Sequence, residues 1–392
     1  MLSKDHKMVF ISGPRQSGKT TLAKEIIGLD FTNLCHFNYD YLENKAKLIQ
    51  DPAFFQQMNR KDNTVPLIIF DEIHKYKDWK NYLKGVFDQF QGQYKFLISG
   101  SGRLDTYQKG GDSLAGRYFL LHVWPFTLGE MGNDFVSPEP FLNSLLQVPD
   151  FSESQKYQQI WNDLTNYSGF PEPFLKKDPL FCHRWSNAYQ KQLIYEDIRD
   201  LTQIRQVDTM ALLFSLLPSK ICSPLSINQL ARDLKVSFQS ITSWLKVFEK
   251  FFLCFSVLPW TGKISRAIVK ECKVYLTNFT LIKDEGSRLE NMVALELYRA
   301  VSVWSDLGYG TFSLHFIRNK EKEEVDFLIA RDNEPLFLVE VKSRDAAISK
   351  SLQKFQSILN IPAIQLVNIP DTARLVNKIL VTSIVNWIAR LP

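Results

Sequence analysis

The first apolar run, Met8-Val9-Phe10-Ile11-Ser12, has the length of a strand, and a glycine-containing loop and a helical stretch, Thr21–Ile27, follow it. Asn33–Asn38 predicts a second strand and Leu42–Asn59 a helix. Continuous apolar runs return at Pro66–Phe70 and Lys95–Ser99. Runs without polar alternation are expected of parallel strands covered on both faces. Strands alternating with helices predict right-handed βαβ units and an open sheet over residues 1–135.

The pattern then changes. Pro138, Pro140 and Pro149 punctuate the chain and mark a boundary. Helical segments rich in aromatics follow, including Tyr157–Asn166 and Cys182–Tyr195. Their rings, Trp161, Phe170, Phe174 and Trp185 among them, read as a helical core. Ser226–Leu234 and Ser237–Phe251 read as two helices joined by a tight turn, with Ser226 and Ser237 as N-caps. A helix runs from Glu290 to about Ala300. Val325–Ala330 and Leu336–Val341 then form a hairpin around Arg331-Asp332-Asn333-Glu334. Four regions result: an α/β domain at 1–135, a helical linker or lid at 136–224, a winged-helix module at 225–275 and a second α/β domain at 276–392.

Composition narrows the classes. The 392 residues are 45% hydrophobic and 23% charged, which excludes a wholly disordered or collagen-like chain. No apolar run reaches membrane-spanning length, and Met1–Lys7 lacks the apolar core of a signal peptide. The five cysteines are scattered without a CxxC pair, so neither a disulfide framework nor a zinc knuckle is expected. A reduced, cytoplasmic setting without membrane association follows as the expectation. The net charge of +5 is concentrated in residues 201–289, where 12 basic residues face 6 acidic ones. A polyanion is the natural partner of such a segment.

Gly13-Pro14-Arg15-Gln16-Ser17-Gly18-Lys19-Thr20 fits GxxxxGK[ST] at every position. The glycines let backbone N–H groups turn inward around phosphate oxygens. Lys19 is expected on the β- and γ-phosphates and Thr20 on Mg²⁺, with the helix from Thr21 pointing its positive end at the same anion. The acidic pair Asp71-Glu72 ends the apolar run at Leu67–Phe70. Asp71 is expected to hold Mg²⁺ through water, and Glu72 to polarise the attacking water of ATP hydrolysis. Ser99, at the end of the next run, is a candidate reporter of the γ-phosphate or a simple Ser-Gly turn. Arg103 and Arg117 are candidate cationic fingers, acting within one chain or from a neighbouring copy in a homo-oligomer. His74 reads as a surface or packing histidine.

These motifs, with Ser113-Leu114-Ala115-Gly116-Arg117 and Pro125-Phe126-Thr127-Leu128-Gly129-Glu130, resemble a large family of bacterial and archaeal AAA-like ATPases with a C-terminal domain of unknown function. The resemblance runs nearly end to end. It implies a P-loop NTPase fold at the N-terminus. The chain departs from the family at Thr277-Asn278-Phe279-Thr280-Leu281, where an Asp-Thr-Gly-Leu-like turn is usual.

Two further features carry chemistry. In the helix pair, Leu230, Ala231 and Leu234 are expected to face Ile241, Leu245 and Phe248. Phe238, Gln239, Ser240, Thr242 and Ser243 would then face outward toward base edges. Lys235, Lys246 and Lys250, with Lys263, Arg266, Lys270 and Lys273 at wing distance, would meet phosphates of DNA. The alternative is a module that only joins domains or copies. In the hairpin, a turn between Asp332 and Asn333 sets Asp326 opposite Val339 and brings Asp326 near Glu340, while Glu340 and Lys342 share a strand face. Two such carboxylates can hold Mg²⁺ or Mn²⁺, with Lys342 positioning a water and Glu290 as a further carboxylate. The set resembles the PD-(D/E)XK nuclease superfamily, which implies a restriction-endonuclease-like α/β fold. Whether such a domain cleaves or only binds stays open, as does a protein-remodelling role.

Overall fold

The computed structural model describes residues 6–101, 114–132, 137–199, 206–261, 272–344 and 347–391. The chain divides into two compact units, Met1–Pro125 and Phe126–Pro392.

The first unit is built on five strands: β1 (Met8–Ser12), β2 (Leu34–Asn38), β3 (Leu67–Asp71), β4 (Lys95–Ser99) and β5 (Tyr118–His122). All are parallel, in the order β2-β3-β4-β1-β5. Every residue of β1 and β3 is buried, as the unbroken apolar runs require. One face of the sheet carries Phe10, Phe37, Phe70 and Phe96, packed with the helix Trp79–Phe90. The other carries Val9, Ile11, Ile69 and Leu97, packed with Ala23 and Leu22. The stretch after the glycine loop is irregular: one α-turn at Lys19–Thr21, a π-turn at Leu22–Ile26 and a 3₁₀ turn at Ile27–Asp30. The helix expected over Leu42–Asn59 ends at Gln50. Asp51 precedes Pro52, and the proline ring disfavours helical dihedrals at the residue before it.

The second unit holds an eight-stranded sheet. Its strands are β6 (Cys254–Pro259), β7 (Lys273–Leu276), β8 (Phe312–Arg318), β9 (Glu324–Arg331), β10 (Glu334–Lys342), β11 (Ala363–Val367), β12 (Ala373–Val376) and β13 (Ile379–Ser383). Their order is β12-β13-β11-β10-β9-β8-β6-β7. A 22-residue helix, Glu285–Asp306, is capped by Asp284, whose Oδ1 accepts from Ser287 N at 2.8 Å.

The region expected to be a linker at 136–224 is built into this unit. Phe141 is buried, with its ring centroid 5.6 Å from Trp304 and 5.4 Å from Trp387. Asn278 Nδ2 donates to Ser186 Oγ at 2.6 Å, and Arg390 donates to Ser144 O at 2.6 Å. Pro138 and Pro140 open the short helix Pro138–Asn143, a position that suits proline because the first turn has no internal use for its N–H. The expected helix pair forms at Ile227–Asp233 and Phe238–Lys250, capped by Ser226 and Ser237. It leads directly into the antiparallel pair β6–β7, and β6 also joins β8 of the large sheet. Among the described residues no helix is long and apolar enough to cross a membrane.

Candidate nucleotide site and a buried charge cluster

Parallel pairing places the carboxyl ends of β1, β3 and β4 at one edge of the first sheet, since Ile11 pairs with Ser99 and Asp71 with Ser99. The glycine loop, the acidic pair and Ser99 therefore converge. Gly13 has φ 155°, and a Cβ there would stand 2.1 Å from Val123 O, so no other residue fits. Gly18 starts the helical stretch in the left-handed region, at φ 89°. Ser17 Oγ donates to Val123 O at 3.3 Å, which ties the loop to the segment after β5. Lys19 is buried, and its ammonium donates to Pro14 O at 2.5 Å and Gly13 O at 3.2 Å. Pro14 is also buried, Arg15 half-buried, and Gln16, Thr20 and Thr21 are exposed at the mouth of the loop.

Thr20 Oγ1 donates to Asp71 Oδ2 at 2.7 Å. Ser99 Oγ donates to Asp71 Oδ1 at 2.5 Å, so Ser99 buttresses the acid. Two residues on β2 that the sequence reading passed over complete the set. Asn38 Nδ2 donates to Asp71 Oδ2 at 3.2 Å, and His36 Nε2 lies 3.9 Å from it, an ion-pair distance rather than a hydrogen bond. Burial works to raise the Asp71 carboxyl. His36 and the Ser99 and Thr20 hydroxyls outweigh it and hold the group below the usual range. The paired Thr20 hydroxyl and Asp71 carboxylate are hard oxygen donors at one point, which fits Mg²⁺.

Glu72, directly after β3, takes a left-handed backbone, φ 55°. Lys75 Nζ lies 3.1 Å from its carboxylate and also pairs with Asp40 at 2.7 Å. His74 is buried, with Nε2 3.6 Å from Glu72, so it braces the acid rather than decorating the surface. Burial pushes the Glu72 carboxyl up, against the pull of Lys75.

Arg117 is placed elsewhere. It precedes Tyr118, which pairs with Met8 at the opposite edge of the sheet. Four ladder positions separate that edge from Ser12, roughly 13 Å at strand rise. There its guanidinium grips Asp88 at 2.8 and 3.1 Å. Of the two expected routes, this placement speaks against a finger within one chain and leaves the one from a neighbouring copy. Arg103 lies outside the described residues, as do Lys263, Arg266 and Lys270.

In the second unit, one irregularity rewrites the hairpin. Asp332 and Asn333 both have positive φ, 52° and 67°, which makes a two-residue turn with Arg331 opposite Glu334. A bulge between Pro335 and Phe337 then shifts the register, so that Phe327 faces Val339. Asp326 thus comes opposite Glu340 and not Val339. Asp326 N approaches Glu340 Oε2 at 3.4 Å, and Val341 N donates to Asp326 Oδ2 at 2.8 Å. Lys342 Nζ sits 2.7 Å from Glu340.

Lys273 corrects a second expectation. It is not on a wing; its side chain is 1% exposed. Its ammonium lies 2.6 Å from Glu324, 3.4 Å from Glu290 and 3.9 Å from Asp326. Tyr275 also donates to Glu290, at 2.8 Å. Burial works to lower the Lys273 pKa, but Glu290, Asp326 and Glu324 together hold it above the normal lysine value. Burial and the Asp326 charge raise both Glu290 and Glu340. The expected Mg²⁺ or Mn²⁺ ligands Glu290, Asp326 and Glu340 are near one another, yet a lysine stands among them. Among the described residues no group of three or more acidic, histidine or cysteine side chains is disposed to hold a metal ion. The donor set does not fit the metal. Asn278, at the departure from the family pattern, caps the turn Phe279–Leu281.

The helix pair presents Phe238, Gln239, Ser243, Lys246 and Lys250 to solvent, while Ile241, Trp244, Leu245 and Phe248 are buried. Ser240 and Thr242 are half-buried, and Ser240 is turned to the Ser237 cap.

Residues 5–132 match the family model of an AAA domain. The N-terminal unit is an AAA-like P-loop ATPase domain. Residues 158–283 and 285–384 match two domains of unknown function, DUF8612 and DUF4143. The chain is similar to "Uncharacterized protein Mb2031c" of Mycobacterium bovis, at 22% identity over 88% of this chain and 73% of that one. The same figures hold for "Uncharacterized protein Rv2008c" of Mycobacterium tuberculosis. Solved structures with partial likeness include Drosophila ORC bound to DNA, at TM-score 0.28 and 14% identity over 70% of this chain and 88% of that one. A DNA replication initiation factor aligns at TM-score 0.26 and 15% identity, over 64% of this chain and 84% of the other. At such scores neither bears on function.

Proposed function

We propose that the protein hydrolyses ATP with Mg²⁺ and couples that turnover to binding of nucleic acid, DNA being the natural form. The Thr20–Asp71 hydrogen bond at 2.7 Å carries the first half. It brings the last residue of the glycine loop and the acid ending β3 to one point, where both would hold Mg²⁺ when nucleotide binds. The metal would supply charge neutralisation on the phosphates. Lys19 then neutralises phosphate oxygens, Ser99 and Asn38 fix Asp71, and Glu72 takes the proton of the attacking water. The raised Glu72 carboxyl suits a group that must accept a proton near neutral pH. The basic segment supports the second half: Lys246 and Lys250 flank exposed polar positions on the second helix of the pair. ATP turnover by purified protein, lost in Lys19→Ala, tests the first half. Salt-sensitive DNA retention tests the second.

A second reading concerns the hairpin carboxylates. With Asp326, Glu340 and Lys342 at one end of the β9–β10 pair, metal-dependent cleavage of the bound nucleic acid is one form of the function. The Lys273 ammonium among those carboxylates favours the other form, an ATP-gated binding switch whose C-terminal domain does not cut. Incubation of DNA and RNA with protein, Mg²⁺ and Mn²⁺ separates the two: nicking by the unsubstituted chain that disappears in Lys342→Ala establishes cleavage.

A further inference from the structure

We infer that Lys273 is a built-in cation that takes the place of a divalent metal in the second unit and closes that carboxylate cluster to Mg²⁺ and Mn²⁺. The inference rests on the second reading above and gives it a structural cause.

Three observations carry it. The first is position. One ammonium stands within 3.9 Å of three carboxylates from two elements: Glu290 on the long helix, and Glu324 and Asp326 on β9. A divalent cation needs several oxygens at about 2.0–2.6 Å. It cannot share that point with an ammonium already at hydrogen-bonding distance.

The second is that the ammonium has nowhere to go. Lys273 is fully buried at the start of β7, and its backbone is held on both sides, by β6 at Val257 and by a bridge to Pro224. Its Nζ also lies 5.5 Å from the ring centroid of Phe316. A surface lysine can swing into water to admit a metal, and this one cannot.

The third is that the remaining acceptors are engaged. Glu340 is held by Lys342 at 2.7 Å, Asp326 Oδ2 by Val341 N at 2.8 Å, and Glu324 by Arg318 at 3.4 Å as well as by Lys273. The cluster thus pairs four carboxylates with three cations, of which Lys273 is the buried one. Adding a divalent ion would reverse its sign, whereas deleting Lys273 would leave buried anions uncompensated. A carboxylate set short of one internal cation attracts an external one.

The test is Mn²⁺ binding to the full chain without nucleotide, read by electron paramagnetic resonance. The unsubstituted chain is expected to bind no Mn²⁺ that Asp326→Asn removes. Lys273→Ala is expected to bind one Mn²⁺ at least about tenfold more tightly than any site of the unsubstituted chain, a difference of about 1.4 kcal/mol. Adding Asp326→Asn to Lys273→Ala should abolish that site, and Lys273→Arg, which keeps the cation, should gain none. Stoichiometric Mn²⁺ on the unsubstituted chain that Asp326→Asn removes overturns the inference, as does a folded Lys273→Ala chain that gains no Mn²⁺. Should Lys273→Ala unfold without metal, refolding on Mn²⁺ supports the inference. If it stays unfolded, the unsubstituted chain decides: an Asp326-dependent Mn²⁺ site overturns the inference and its absence supports it. Neither arm involves ATP or DNA. Mn²⁺ binding without cleavage would therefore defeat this inference alone, and cleavage lost in Lys342→Ala would defeat the reading beneath it.

Discussion

The Thr20 hydroxyl donates to Asp71 at 2.7 Å, although 51 residues separate the two in sequence. One residue closes a glycine loop and the other ends a buried strand. Parallel pairing of β1 and β3 with the intervening β4 brings both to the same sheet edge. The hydrogen bond joins the two halves of the proposed phosphate-transfer site.

Asp71→Asn is therefore expected to weaken Mg²⁺-dependent nucleotide binding, while Glu72→Gln keeps binding and loses turnover by about 10²-fold or more. Calorimetry and steady-state phosphate release measure the two. Full turnover in purified Glu72→Gln protein would remove the assignment of the base.

Arg117 grips Asp88 at the far edge of the first sheet, so it has no reach to its own phosphate loop. Arg117→Ala should leave turnover near the unsubstituted rate at dilutions where the chain is monomeric. A collapse of activity that appears only on dilution-sensitive assembly would assign the arginine to a neighbouring copy.

Lys246 and Lys250 are exposed on the outer helix of the pair. Reversing either to Glu should weaken DNA retention uniformly across sequences and lower the slope of log affinity against log salt by about 1 or more per lost phosphate contact. Unchanged retention and slope in fluorescence anisotropy would favour a module that only joins domains.

Glu296 introduces a pH dependence of stability. Its carboxylate accepts from Leu128 N at 2.9 Å, and burial pushes its pKa up to about 7, against the pull of Arg299. A raised folded pKa means the native state binds the proton more tightly than the unfolded chain. The contribution is fully present below about 4.5 and is lost as pH rises through about 7. Glu296→Gln mimics the protonated form. Its melting temperature should match the unsubstituted chain at pH 5 and fall less steeply between pH 5 and 7.5. Parallel melting curves for the two chains would contradict this.

The caps of the helix pair offer a simpler test of local structure. Ser237 Oγ accepts from Ser240 N at 3.0 Å. Ser237→Ala should cost about 1 kcal/mol in denaturant unfolding, with nucleotide turnover unaffected.

Local chemistry made much of this legible in the amino-acid order. Unbroken apolar runs marked β1, β3 and β4, because strands buried on both faces need no polar alternation. The spacing from Gly13 to Thr20 marked the phosphate loop, because each position answers a backbone requirement. Serines before apolar helices marked Ser226 and Ser237. What escaped was non-local. Asn38 and His36 carry no motif, and only strand pairing sets them beside Asp71. The aromatic-rich stretch 136–224 reads as a linker or lid, and only long-range packing such as Phe141 against Trp304 and Trp387 builds it into the second unit. Lys273 looked like a wing cation because charge alone says nothing of burial. A single bulged residue near Pro335 moved Asp326 from Val339 to Glu340, since a one-residue slip exchanges the faces of a strand. Sequence order specified which groups could do chemistry. The long-range pairing of strands and the burial of one lysine specified which of them meet, because those depend on packing free energy summed over the whole unit rather than on any neighbouring residues.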